Sequence, residues 1–124
     1  MRNYYKYYNH NPDNVKIKDC VCRAISTATG LRYQVVDNLL RLTADRYSCD
    51  KLCVCCYHKL LENILCYTRY ECNFRRTVRD IARTHPNDRV IIRVDAHLTS
   101  SINGNILDIW DCSEELVDCY WIVS

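Results

Sequence analysis

The apolar positions of this chain change period after residue 85. Before that point they recur at helical spacing, and from residue 89 onward they alternate or run together as in strands. Val21, Ala24, Ile25 and Ala28 fall at i, i+3, i+4 and i+7, which predicts a helix opening at Asp19, a good N-cap residue. Gly30 stands where a left-handed residue would end that helix. Val35, Val36, Leu39, Leu40 and Leu42 predict a second helix over 33–42, with Ala44-Asp45 leading out. Leu52, Cys56, Leu60, Leu61 and Ile64 form the apolar side of a third helical segment over 50–65. A short fourth helix is expected over 78–83, with Thr77 as its cap and Asp80 in its first turn, where the helix dipole favours an anion.

Pro86-Asn87-Asp88 reads as a turn, and Arg89 to Val94 as a strand through the core. Two short strands, 97–102 and 106–110, flank Asn103-Gly104, the strongest hairpin signal in the sequence. A last strand is expected over 115–122. Helices first and at least four antiparallel strands afterwards make the class α+β. Residues 1–18 are polar and tyrosine-rich, with a loop signal from Asn9 to Asn14. Tyr4, Tyr5, Tyr7 and Tyr8 are expected to pack across the surface, because few cations interleave them as a base-stacking platform requires.

Composition narrows the function classes. The 124 residues form one domain, 1–124, and the 48% hydrophobic and 26% charged content is that of a folded globule. A net charge of +2 argues against a grip on nucleic acid, and Arg75, Arg76, Arg79 and Arg83, mixed with Asp80, read as a solvated helix face. No apolar run reaches the roughly 18 residues of a membrane span, and Met1 to Tyr8 has no apolar core of a secretion signal. Two glycines exclude the usual glycine-rich phosphate cradles. Ten cysteines without a secretion signal, several of them in helical patterns as small apolar residues, predict free thiols in a reducing, cytoplasmic compartment.

A thiol nucleophile needs its thiolate, which a helix N-terminus favours. Cys20 falls in the first turn of the first helix. Cys22 flanks the same apolar face, so periodicity does not choose between them; Cys20 lies nearer the dipole end. The charge of Asp19 opposes the thiolate unless its carboxylate is consumed in capping. Of His10, His58, His85 and His97, only His97 begins a strand at the rim of the apolar run. With Asn103-Gly104 as turn residues, Ile102 pairs with Asn105, Thr99 with Asp108 and His97 with Trp110. His97 and Asp108 then share a face as diagonal neighbours, and a carboxylate there would fix the imidazole. Asp111 points to the opposite face, and a one-residue slip would exchange the two.

A second cysteine group runs Cys49, Cys53, Cys55, Cys56 and His58. These are ligand types for zinc, but the spacing fits no standard knuckle. On a helix Cys49, Cys53 and Cys56 share one face and Cys55 lies off it. The group is therefore expected to be apolar core, with less than one zinc per chain and no cofactor; the competing reading is a zinc-stabilised binding module.

Asp19-Cys20-Val21-Cys22-Arg23-Ala24-Ile25-Ser26, His97-Leu98-Thr99, the Asn103-Gly104 hairpin and Asp108-Ile109-Trp110-Asp111 resemble the motifs of small papain-like cysteine-peptidase-fold proteins of bacteria and phages. Tyr120-Trp121 matches the pair near the end of that group, and 48–76 carries none of its motifs. The resemblance implies a papain-like fold with Cys20 as nucleophile, His97 as base and Asp108 as orienter. It also implies an oxyanion-hole side chain a few residues before the cysteine; Asn14 has the usual offset and Asn11 is the alternative. Lys18 and Ala96 stand where the group has glycine before the cysteine and the histidine. The implied activity is thiol hydrolysis of a peptide or protein substrate. A non-catalytic interaction protein on the same fold, such as a phage inhibitor of a host factor, is the alternative.

Overall fold

The computed structural model describes residues 5–13, 19–72 and 75–123. Four helices and six strands follow in chain order among them. β1 is Tyr5–Tyr7, α1 Cys20–Thr29, α2 Tyr33–Tyr47 and α3 Val54–Lys59, which continues into a π-helical turn at Leu60–Ile64. β2 is Arg69–Glu71, α4 Val78–Thr84, β3 Arg89–Val94, β4 His97–Ile102, β5 Asn105–Asp108 and β6 Val117–Val123. The strands form one mixed sheet in the order β1-β5-β4-β3-β6-β2.

The α+β class holds, with helices concentrated before residue 85 and four strands after residue 88. The four strands after residue 88 pair antiparallel, as expected, and two strands from earlier in the chain join them at the sheet edges. β1 lies parallel to β5, pairing Tyr5 with Ile106 and Tyr7 with Asp108, and β2 adds to β6 at the other edge. Both extra strands come from segments of three residues, too short to show an alternating pattern.

β3 carries the core because both of its faces are covered. Ile91 points to one side with Leu98, Cys119 and Trp121, under Val21, Ile25 and Ala28 of α1, Val36 and Leu40 of α2, and Leu60 and Leu61. Val90, Ile92 and Val94 point to the other side with Ile106 and Val117, under Val78, Ile81 and Ala82 of α4. Alternate side chains of a strand face opposite ways, so a strand buried on both faces reads as an unbroken apolar run.

The helix ends follow local chemistry. Gly30, at φ 77, closes α1 by donating its N–H to the Ser26 carbonyl at 3.0 Å. Thr77 and Asp80 form a reciprocal capping box on α4. α2 runs past Leu42 to Tyr47, since Ala44-Asp45 carries no breaker, and Ser48 in the left-handed conformation ends it. Its buried positions are Val36, Leu40 and Thr43, whereas Val35 and Leu42 face out. The third segment starts at Val54 rather than residue 50, leaving Leu52 and Ile64 exposed. No helix among the described residues is long and apolar enough to cross a membrane.

Candidate active site

α1 lies across the sheet against β4, β3 and β5, so its first turn meets the start of β4. That crossing brings Cys20, at the N-terminus of α1, to His97, the first residue of β4. The hairpin register is the one the turn dictates: Ile102 pairs with Asn105 and Ser101 with Ile106. Asn103 and Gly104 both have positive φ, 51° and 82°, as a two-residue hairpin turn of this twist requires. His97 and Asp108 consequently share a face, and His97 Nε2 stands 2.6 Å from Asp108 Oδ2. With Nε2 committed to Asp108, Nδ1 is the ring nitrogen left for the thiol.

The charges of the three groups reinforce one another. Burial alone would raise the Cys20 thiol, but hydrogen bonds from His97 and from the Leu98 backbone, with the charges of His97 and Arg23, hold it below its ordinary value. Burial pulls the His97 imidazole down; Asp108, then Cys112 and Cys20 as hydrogen-bond partners, push it up to about 11. Burial likewise works against the Asp108 carboxylate, and His97 and Arg23 outweigh it. The balance favours a Cys20 thiolate beside a His97 imidazolium. The indole of Trp110 stands edge-on to the His97 ring, centroids 4.9 Å apart.

Behind the triad lies a buried network that the motif reading did not foresee. Arg23 Nε donates to Asp19 Oδ1 at 2.5 Å, and Arg23 Nη1 donates to Asp108 Oδ1 at 3.1 Å. Asp19 Oδ2 accepts from the Tyr33 hydroxyl at 2.7 Å and from Asn11 Nδ2 at 3.1 Å. Asp19 occupies the N-cap position of α1 without capping through its side chain. Its charge is instead neutralised by Arg23, which removes the opposition to the Cys20 thiolate. The signal for Arg23 was in the sequence: an arginine four residues after an aspartate, inside an otherwise apolar helix face, has to be paired.

The rival residues are engaged elsewhere. Cys22 is buried, donates its thiol to the Tyr33 carbonyl at 3.3 Å, and is pushed by burial up to about 12. Asp111 is exposed and accepts from the Ser113 backbone at 3.1 Å and from the Ser113 hydroxyl, so the register leaves it outside the site. Asn11 spends its amide on Asp19 and its carbonyl on the Asp13 N–H, 2.9 Å away. Asn14 lies outside the described residues. His10 bonds Ser26, His85 the Ile81 carbonyl, and His58 is wedged between Arg69 and Arg93.

Cys112 is the residue that sequence reasoning missed. It is buried, with its Sγ 3.8 Å from Asp108 Oδ2. It falls beyond β5, where neither strand period nor helical period could place it. On the outer side of Cys20, a cavity of about 160 Å³ is lined by Leu52, Val54, Tyr57, Val94, Ala96 and Leu98. The arrangement offers a nucleophile, a proton carrier and a largely apolar recess beside them.

The other cysteine group is assembled differently from the helical-wheel reading. Cys49 and Cys53 precede α3, and Cys55, in its first turn, joins them, with the three Sγ atoms within 4.8 Å of one another. Cys49, Cys53 and Cys55 are free thiols. Comparison with family models, with curated proteins and with solved structures gives no match for this chain.

Proposed function

We propose that the chain is a papain-like thiol hydrolase of the bacterial and phage kind its motifs resemble, acting on an amide, isopeptide or thioester of a peptide or protein. The observation that carries this reading is the chain of contacts from Cys20 through His97 to Asp108, in the order and on the elements such an enzyme needs. The Cys20 thiolate attacks the carbonyl carbon, forming the C–S bond. The oxyanion develops beside the first turn of α1, whose leading N–H groups have no intrahelical partner. His97 gives its proton to the leaving amine or thiol as the carbonyl carbon releases it. His97 then takes a proton from water as the water oxygen attacks the thioester carbon; the C–S bond breaks, the acid leaves, and the Cys20 thiolate is restored beside the His97 imidazolium. Asp108 holds the ring and stabilises the imidazolium throughout.

Limited alkylation with peptide mapping tests this without a substrate. Cys20 is expected to react faster than Cys112 and Cys119 near neutral pH, and to keep reacting below the pH at which an ordinary thiol ionises, because its thiol is held below the ordinary value. His97→Ala should move the onset of reaction to higher pH. If Cys20 is modified no faster than Cys112 or Cys119, or if His97→Ala leaves its profile unchanged, the hydrolase reading fails and a non-catalytic interaction protein on the same scaffold replaces it.

A further inference from the structure

The segment between α2 and α3 is folded around thiols. Ser48 leaves α2 at φ 54, and the Cys49 N–H bonds the Ala44 carbonyl at 3.0 Å. Asp50 then closes a tight turn: its carboxylate accepts from the Leu52 N–H at 2.9 Å and its carbonyl from the Cys53 N–H at 3.0 Å. These turns bring the sulfurs of Cys49, Cys53 and Cys55 within 4.8 Å of one another. Zinc–sulfur bonds of about 2.3 Å in a tetrahedron set sulfurs about 3.8 Å apart, so only a small closure separates this cluster from ligand geometry.

Two further features fit a ligand set rather than apolar packing. Cys53 Sγ accepts the Cys56 backbone N–H at 3.3 Å, a bond that supports a metal-bound thiolate. Cys49 and Cys53 are half-buried and Cys55 is exposed, so an ion has a route in. Cys56 lies beneath the cluster: it is fully buried, its thiol donates to the Leu40 carbonyl at 3.7 Å, and it also meets the Cys49 thiol. The other close group of possible ligands, His97, Asp108 and Cys112, belongs to the catalytic site.

We propose that Cys49, Cys53 and Cys55 form a three-thiolate site for zinc, with the fourth tetrahedral position open to solvent. Binding replaces three S–H protons by three Zn–S bonds and releases those protons. The irregular spacing that argued against metal in the sequence is resolved by the turn at Asp50, which no ligand-spacing rule describes. The site also has a mechanical consequence. Leu52 and Val54 flank Cys53 in the chain and line the cavity beside Cys20, so the ion would pin one wall of the cleft. The proposal stands independently of the hydrolase reading.

The test uses the reduced, metal-free full chain. Zn²⁺ is titrated in competition with a chromophoric chelator, and Cd²⁺ is titrated in parallel while thiolate-to-metal charge-transfer absorption is followed. Binding of about one ion per chain is expected, with the charge-transfer band. Cys49→Ser, Cys53→Ser and Cys55→Ser should each weaken it by more than about tenfold, while Cys66→Ser and Cys112→Ser leave it unchanged. Cys55 is exposed, so its variant separates ligand loss from misfolding. Absence of tight stoichiometric binding, or binding that survives Cys55→Ser, overturns the site. Loss of binding in Cys112→Ser overturns it too, by moving the ion to His97 and Asp108.

Discussion

Asp108 serves two partners at once. One oxygen holds His97 Nε2 and the other receives Arg23 Nη1, with the whole residue buried. Asp108→Asn keeps the shape but removes the charge that holds the imidazolium, so the Cys20 thiolate loses its counter-ion. Each unit by which a thiol rises costs about tenfold in thiolate fraction below its pKa. Alkylation of Cys20 at neutral pH should therefore slow by about tenfold or more in Asp108→Asn; an unchanged rate would show that the helix terminus alone activates the thiol. Arg23→Met has a different signature. It strands the Asp19 and Asp108 carboxylates in the interior, and breaking a buried pair from one side costs about 3–5 kcal/mol. A denaturant melt of Arg23→Met should show a loss of that order, whereas Asp108→Asn, which leaves the Asp19–Arg23 pair intact, should lose less. His97 and Asp108 were legible because one hairpin register fixes both, and Cys20 because it lies nearer the dipole end of α1 than Cys22, which the helical period alone does not separate from it. The pairing of Arg23 with Asp19 was legible in the helix pattern, but its second partner Asp108 and the place of Cys112 were not, because they arise where α1 crosses β5 and where the chain leaves β5, and neither crossing is written in a local pattern.

The elements that orient the site are held by turns, and one turn is strained. β3 and β4 are joined by Asp95-Ala96, and Ala96 sits at φ 56. A left-handed alanine costs about 1–2 kcal/mol relative to a residue without Cβ. Ala96→Gly is expected to raise the stability of the chain by about 1 kcal/mol, read as a higher denaturant midpoint with unchanged slope. No gain would mean that flexibility in the unfolded chain cancels the relief of strain. The capping box of α4 predicts the opposite sign: Thr77→Ala should cost about 1 kcal/mol, since it removes the acceptor for the Asp80 N–H. Elements with a full period or a strong punctuation residue were readable, namely α1 up to Gly30, α4 after Thr77, and β3 to β5 around Asn103-Gly104. The end of α2 was misread because Ser48, not a glycine, takes the left-handed position, and β1 and β2 exist only through pairing with β5 and β6.

At the scale of the molecule the site is also a source of pH-dependent stability. The His97 imidazolium is favoured by folding: burial lowers it, but Asp108, Cys112 and Cys20 raise it to about 11, above the ordinary 6.5. A group raised on folding stabilises fully below its unfolded pKa and loses that contribution as pH rises through the folded value. Asp108 shifts the other way; its contribution is present above the ordinary carboxylate value and is lost as pH falls through the depressed one. The pair therefore supports the fold most between the ordinary aspartate and histidine values, about pH 4 to 6.5. The Cys20 thiol adds stability in the opposite, alkaline direction, so the clean comparison is made in a Cys20→Ser background. There, the stability difference between His97 and His97→Ala chains should be largest near pH 6 and shrink steadily as the pH rises into the alkaline range in denaturant melts. A difference that stays flat across that range would mean that His97 titrates near its ordinary value in the folded chain. The ion-pair description of the site would then be wrong, whatever the reactivity of Cys20.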